Sequence, residues 1–191
     1  LNTTFYDALS RTFKGEDDHH HARFICSQTI VMSLEGIPAF YIHAMLATPN
    51  DHAQVEHRGM SRAINRHRWD YPSLRDRLAD ASSAQARVLG DLSARLKVRQ
   101  KQKAFHPNAT QFTVNLQDDR VFGVWRQSLD RKQSIFALHN VSDASVAISA
   151  AALNLIEDQP WLDLISGDLI DASADHITLG PYQCMWITNR F

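Results

Sequence analysis

The residues best suited to chemistry lie in a polar segment from His52 to Trp69. It carries Arg58, Arg62, Arg66 and Arg68 beside His57 and His67. An arginine's planar fork donates paired hydrogen bonds, which suits a phosphate or a carboxylate. The same arginines would serve equally well to solvate a loop or to pair with Asp51, Glu56 and Asp70. A second dense group is Glu16-Asp-Asp-His-His-His21. On a helix adjacent histidines point about 100° apart, so His19, His20 and His21 cannot act as an i, i+4 metal pair. This run reads as a solvated helix start, and no metal site is expected. Cys26 and Cys184 are far apart, each within an apolar stretch, and neither has a second cysteine at metal spacing. Two reduced core thiols in a cytoplasmic protein is the expectation, with a long-range disulfide as the other reading. There is no glycine-rich phosphate loop, nucleophile elbow or motif-placed carboxylate pair, so no catalytic residue and no cofactor are assigned.

The elements that must position these residues centre on Ser33 to Leu46. Upstream, Ala22, Ile25, Cys26, Thr29, Ile30 and Leu34 recur at helical spacing. Asp17 and Asp18 stand where carboxylates can cap the start of that helix. Gly36 and Pro38 end it. Ile37 to Ala44 is a nearly continuous apolar run, as expected of a parallel strand covered on both faces. A polar loop leaving the C-terminal end of such a strand is where α/β enzymes bind substrate. Tyr71-Pro72 opens a helix of about two turns. A longer one follows from near Ser82 or Ser83 to Lys103, with Val88, Leu89, Leu92 and Leu96 on its apolar face. Its last turns carry Arg95, Lys97, Arg99, Lys101 and Lys103. These read as a solvated face whose cations suit a helix C-terminus, with a nucleic-acid helix as the weaker alternative.

From Gln111 the apolar period becomes two. Strands are expected over Gln111 to Gln117, Val121 to Ser128, Ser134 to Val141, Val146 to Leu153, Trp161 to Leu164, and His176 to Asn189 with a break near Gly180-Pro181. Short strands at this spacing indicate an antiparallel sandwich or meander. The division expected is therefore an α/β part over 1–103 and an all-β part over 104–191.

The 191 residues can hold one large or two small domains, and 44% hydrophobic residues allow a packed core. A net charge of −1 gives no general pull toward nucleic acid or an anionic membrane. No apolar run reaches the roughly 20 residues of a membrane helix. Leu1 opens no basic leader, so no signal peptide is expected, and the missing start methionine suggests a fragment or a processed product.

The order of elements resembles the C-terminal portion of a glycoside hydrolase family 13 enzyme, the α-amylase superfamily. Met32-Ser-Leu-Glu-Gly-Ile-Pro-Ala-Phe-Tyr41 looks like the end of the seventh barrel helix and the eighth strand. Trp161-Leu-Asp-Leu-Ile-Ser-Gly167 and Ile177-Thr-Leu-Gly-Pro-Tyr-Gln-Cys-Met-Trp186 look like the closing strands of the β-sandwich called domain C. Within the superfamily the sucrose phosphorylase group is most similar. Phe5-Tyr-Asp-Ala-Leu9, Gly15-Glu-Asp-Asp18, Pro49-Asn-Asp51 and Arg62-Ala-Ile-Asn-Arg-His67 carry that likeness. The fold class implied is the last αβα elements of a (β/α)8 barrel (helix seven, strand eight, helix eight) followed by an antiparallel β-sandwich. The activity implied is retaining transfer of glucose from sucrose or a related α-glucoside to phosphate. Its catalytic carboxylates lie on barrel strands four, five and seven, upstream of Leu1, so the chain alone is expected to be inactive. The partners implied are a sugar and phosphate, with no nucleic acid, no membrane and no cofactor.

By the same resemblance Arg62 falls in the acceptor region that holds phosphate or fructose. Asn50 and Asp51 fall at the mouth of the last strand, and Asn65 and Arg66 anchor the loop. His43 faces the barrel mouth or is a satisfied core histidine. Sucrose, sucrose 6-phosphate and glucosylglycerate all remain open as donors. Exposed barrel elements imply a homodimer or a poorly ordered N-terminal part. A non-enzymatic carbohydrate-binding or scaffold module built on the β domain is the alternative.

Overall fold

A computed structural model describes residues 2–153, 155 and 160–190. The chain forms two compact units, Leu1–Ile25 with Ala39–Ser93, and Cys26–Pro38 with Ala94–Phe191. The end residues Leu1 and Phe191 lie outside the described residues.

The first unit is helical. Helix α1 (Phe5–Ala8) starts at Thr4, whose side chain accepts the Asp7 N–H. A two-residue hairpin pairs β1 (Arg11–Thr12) with β2 (Gly15–Glu16). Helix α2 (His20–Ser33), which belongs to the second unit from Cys26 on, begins where expected, and Asp17 Oδ1 accepts the His19 N–H at 2.9 Å. Its buried stripe is rotated from the expected one. Ile25, Cys26 and Thr29 are buried, but Phe24, Gln28, Met32 and Ser33 join them, whereas Ala22, Ile30 and Leu34 are half-buried. Polar groups on that stripe have partners, and a hydrogen-bonded polar group can be buried at little cost. His20 bonds the Tyr6 carbonyl and His21 bonds Asp91 Oδ2, so the adjacent rings serve different partners.

The strand expected over Ile37 to Ala44 is not formed. Residues 37–41 have no regular structure and α3 (Ile42–Met45) is a single helical turn. A strand exists only as part of a ladder, and no described segment pairs with this run. Three of its apolar side chains are correspondingly bare, Ile37 at 83%, Tyr41 at 60% and Ile42 at 54% exposure, whereas Ala44 is buried. Gly36, as expected, takes a left-handed conformation (φ 89°) after the helix. The segment after Asp51 is more regular than its composition suggests. Helix α4 (His52–Arg58) is capped by Asp51, which accepts the Gln54 N–H, and ends at Gly59 (φ 62°). A 3-10 turn follows over Ser61–Asn65. Helix α5 (Tyr71–Ala79) is capped by Asp70 and carries Pro72 in its first turn. Helix α6 (Ala84–Arg99) buries Val88 and Leu92, with Leu89 and Leu96 half-buried.

The second unit is an antiparallel β domain. Its six-stranded sheet has the order β3 (Thr110–Thr113), β4 (Val121–Gln127), β5 (Ser134–Asn140), β10 (Cys184–Thr188), β7 (Trp161–Asp163), β8 (Leu169–Ile170). A two-stranded sheet pairs β6 (Val146–Ser149) with β9 (His176–Leu179). Apolar residues of both sheets form one core: Leu138 and Ile187 from the large sheet, Val146, Ile148, Ile177 and Leu179 from the small one. The alternating pattern thus produced an unequal sandwich. The expected strand over Val146 to Leu153 ends at Ser149 and turns into a 3-10 segment, Ala150–Leu153.

Within this unit the end of α2 is held by polar side chains. Arg126, fully buried, donates through Nη1 to the Ser33 carbonyl at 3.0 Å and through Nη2 to the His106 carbonyl at 3.0 Å. Arg99 donates through Nε to the Met32 carbonyl at 2.7 Å and through Nη2 to the Gly36 carbonyl at 3.3 Å. Both guanidinium groups lie against the Phe105 ring. These cations complete the free carbonyls and the negative end of a helix dipole. Arg99, read from sequence as part of a solvated basic face, is thus a helix cap. Ser33 Oγ accepts the Trp186 Nε1–H at 2.9 Å and lies 2.9 Å from His139 Nε2. His139 Nδ1 donates to the Phe122 carbonyl at 3.1 Å. Burial pulls its pKa down to about 4, so the ring is neutral. Cys26 and Cys184 are free, buried and in contact. The Cys26 thiol reaches the Asn140 carbonyl at 3.5 Å. The Cys184 hydrogen bond pulls the Cys26 thiol down, and burial pushes the Cys184 thiol up.

Candidate functional site

The loop residues singled out by sequence are arranged around Asp51 in the first unit. Its backbone N–H donates to the Ile64 carbonyl at 2.8 Å, tying the start of α4 to the 3-10 turn. Its Oδ1 accepts the Gln54 N–H at 2.9 Å and its Oδ2 accepts His67 Nδ1–H at 2.6 Å. Burial alone would raise the Asp51 pKa. The His67 and Gln54 hydrogen bonds, with the charges of His67 and His52, outweigh it and hold the carboxyl below the usual range. One carboxylate therefore caps a helix and orients an imidazole. The cap could have been read from Asp51 lying three residues before Gln54, with Gly59 closing the helix.

His67 stands edge-on to Trp69 with ring centroids 4.6 Å apart. Trp69 Nε1–H donates to Thr48 Oγ1 at 3.0 Å, and Thr48 Oγ1 lies 3.2 Å from His43 Nδ1. An indole N–H can only donate, so Thr48 accepts there. Thr48 is fully buried, and His43 Nδ1 is the remaining partner for its hydroxyl proton. That leaves the His43 proton on Nε2. Burial and the neighbouring charge of His67 lower the His43 pKa, which favours the same neutral ring. Tyr41 stands edge-on to His43 at 4.9 Å. Ala47, between these groups, takes φ 44°, a strained conformation for a residue with a Cβ. The buried Gln85 donates to its carbonyl at 3.3 Å and helps to hold it. Such strain gathers at sites where geometry matters.

Asn50 is engaged inside the unit. Its Oδ1 accepts the Thr4 N–H at 2.7 Å and its own N–H donates to Asp7 Oδ2 at 2.7 Å. Arg62 lies on the 3-10 turn, exposed, and its guanidinium has no hydrogen-bond or ion partner among the described residues. Asn65 and Arg66 are on the same turn or at its end, and their side chains make no hydrogen bond among the described residues. The hydrogen bonds that hold this loop come from Asp51 and His67. The structure therefore joins His43 and Asp51 through Thr48, Trp69 and His67, and leaves Arg62 as a free cation on the adjoining turn. Thr48 and Trp69 were not singled out from sequence. An isolated threonine and tryptophan carry no spacing signal, and only the fold brings them to His43. No group of three His, Cys, Asp or Glu residues able to hold a metal occurs among the described residues. Among these residues no helix is long and apolar enough to cross a membrane.

No protein-family model matches the chain. Among curated proteins it is 37% identical over 188 residues to a glucosylglycerate phosphorylase of Allomeiothermus silvanus, covering 98% of this chain and 31% of that protein. It is 34% identical over 187 residues to the glucosylglycerate phosphorylase of Escherichia coli (strain K12), covering 98% of this chain and 32% of that protein. The chain thus spans about a third of the length of the relatives it matches. Among solved structures it superposes on AmyP in complex with maltose with a TM-score of 0.68 at 11% identity, over 88% of this chain and 35% of that one. An Anoxybacillus α-amylase gives a TM-score of 0.62 at 13% identity, over 90% of this chain and 33% of that one. At such identities the structures speak for the fold alone. In sequence, nearly the whole chain is similar to about a third of proteins named glucosylglycerate phosphorylase, and in fold it is similar to part of the α-amylases.

Proposed function

We propose that the chain forms the closing part of the (β/α)8 barrel and the domain C of a retaining glucosyl phosphorylase, with residues 1–103 on the barrel side and 104–191 as domain C. The observation that carries this reading is the match of nearly the whole chain to proteins named glucosylglycerate phosphorylase. Glucosylglycerate is accordingly the donor we favour over sucrose and sucrose 6-phosphate. In the parent enzyme one carboxylate displaces the aglycone from the anomeric carbon while a second carboxyl group protonates the leaving oxygen. Phosphate then displaces the enzyme carboxylate and leaves as glucose 1-phosphate. These carboxylates belong to the rest of the barrel, and the 191-residue chain is inactive alone.

The role of this chain is to furnish one wall of the site. Arg62, exposed and unpaired among the described residues, offers its fork to phosphate or to the glycerate carboxylate. His43, with its proton on Nε2, is a donor for a sugar or acceptor oxygen. Asp51 and Asn50 hold the loop that presents them, and Asn65 and Arg66 lie on the turn that carries Arg62. Phe13 at 96% and Ile42 at 54% exposure suit a surface that the remaining barrel would cover. The test is phosphorolysis by the parent enzyme carrying Arg62→Ala. We expect the KM for phosphate to rise at least tenfold with the glucosyl-enzyme step preserved. An unchanged KM for both phosphate and donor would remove Arg62 from the site.

A further inference from the structure

The β domain contains a groove of about 950 Å³ that the reading above leaves unused. Its floor is a row of aromatic rings set by strand register. Phe112 lies opposite Trp125, and Trp125 opposite Phe136. The ring centroids of these pairs are 5.2 and 6.0 Å apart, and Trp161 continues the row 5.9 Å from Phe136. Trp125 Nε1–H is buried and has no hydrogen-bond partner among the described residues. A buried donor left unpaired is costly, and a ligand acceptor would relieve it.

Among the described residues the rim is charged with one sign. Arg131, Lys132 and Arg190 line the groove, and no carboxylate lines it among the described residues. Asp130, the nearest acid in sequence, accepts from Ser128 Oγ at 2.6 Å and pairs with Lys103 at 3.5 Å. The aromatic floor fits the C–H faces of a sugar, the unpaired indole N–H fits a hydroxyl or ring oxygen, and the cationic rim fits an anionic substituent.

We propose that this groove binds an anionic sugar, a hexose carrying a phosphate or a carboxylate, with its ring against Trp125 and its anion at Arg131 and Lys132. The inference rests on the β domain alone and is independent of the phosphorylase reading.

The test is NMR titration of the 191-residue chain with glucose 1-phosphate, following the indole N–H resonance of Trp125 assigned with Trp125→Phe. Glucose and inorganic phosphate are titrated in parallel. We expect saturable movement of that resonance by glucose 1-phosphate, with each half-ligand at least tenfold weaker. Arg131→Gln with Lys132→Gln, both at solvent-accessible positions, should weaken glucose 1-phosphate binding at least tenfold while the remaining spectrum is unchanged. No saturable movement would overturn the proposal. So would binding unaffected by the double substitution, or inorganic phosphate matching the sugar phosphate, which would mark a bare cationic patch.

Discussion

At the scale of single residues the account turns on which polar side chains have partners. Asp51 and Arg62 are opposites in this respect. The carboxylate is committed to His67 and to the cap of α4, so its replacement should act first on stability. Asp51→Ala should cost about 1–3 kcal/mol, combining a lost N-cap with a lost imidazole partner, as read by chemical denaturation. Arg62→Ala should leave stability within about 0.5 kcal/mol, since it is exposed and unpaired among the described residues. His139 gives a pH prediction. Its folded pKa, about 4, lies below the ordinary histidine value of about 6.5. The neutral ring therefore contributes stability that is full above about pH 6.5 and is lost as pH falls toward 4, up to roughly 3 kcal/mol. Denaturation midpoints between pH 7 and 4 should show this slope, and His139→Gln should flatten it. Much of this scale was hidden in the sequence. The arginine-rich motif stood out by composition, but His67 finds Asp51, and Thr48 finds His43, only after the chain has folded.

At the scale of elements, strands that pair within the chain were legible and the one that lacked a partner was not. Val121–Gln127, Ser134–Asn140 and Cys184–Thr188 form as strands because each lies between neighbours in one sheet. Ile37 to Ala44 carries an equally apolar run, yet its ladder partners are not among the described residues, and it forms a turn of helix and irregular chain. An apolar pattern states that a segment wants burial and does not supply the neighbour. Helix α2 shows the complementary case. Its extent was legible, but its C-terminal anchoring by Arg99 and Arg126 depends on residues 63 or more positions away. Arg126→Met keeps the bulk and removes the donors to the Ser33 and His106 carbonyls. It should destabilise the protein by about 2–4 kcal/mol, detectable as a lowered melting temperature. Gly123 is a further close fit in β4, since an added Cβ would lie 2.9 Å from Leu116 Cδ1 and 3.3 Å from Leu138 Cδ2. Gly123→Val should therefore overpack the core at a cost of about 1–3 kcal/mol.

At the scale of the molecule, a β domain with its own core stands in contrast to a helical unit with large bare apolar residues. Phe13, Ile42 and Tyr41 are more exposed than a self-sufficient unit would leave them. In isolation the chain should associate through these residues, with a sedimentation coefficient that rises with protein concentration. Under the proposed function the same residues would be covered by the rest of the barrel. The central claim is that this chain completes a phosphorylase and does not act alone. It is tested most directly by incubating glucosylglycerate and inorganic phosphate with the 191-residue chain and, separately, with the complete gene product, and measuring glucose 1-phosphate. The account predicts release by the complete protein and none by the chain. Release of glucose 1-phosphate by the chain alone, or its absence from the complete protein with glucosylglycerate, sucrose and sucrose 6-phosphate alike, would contradict it.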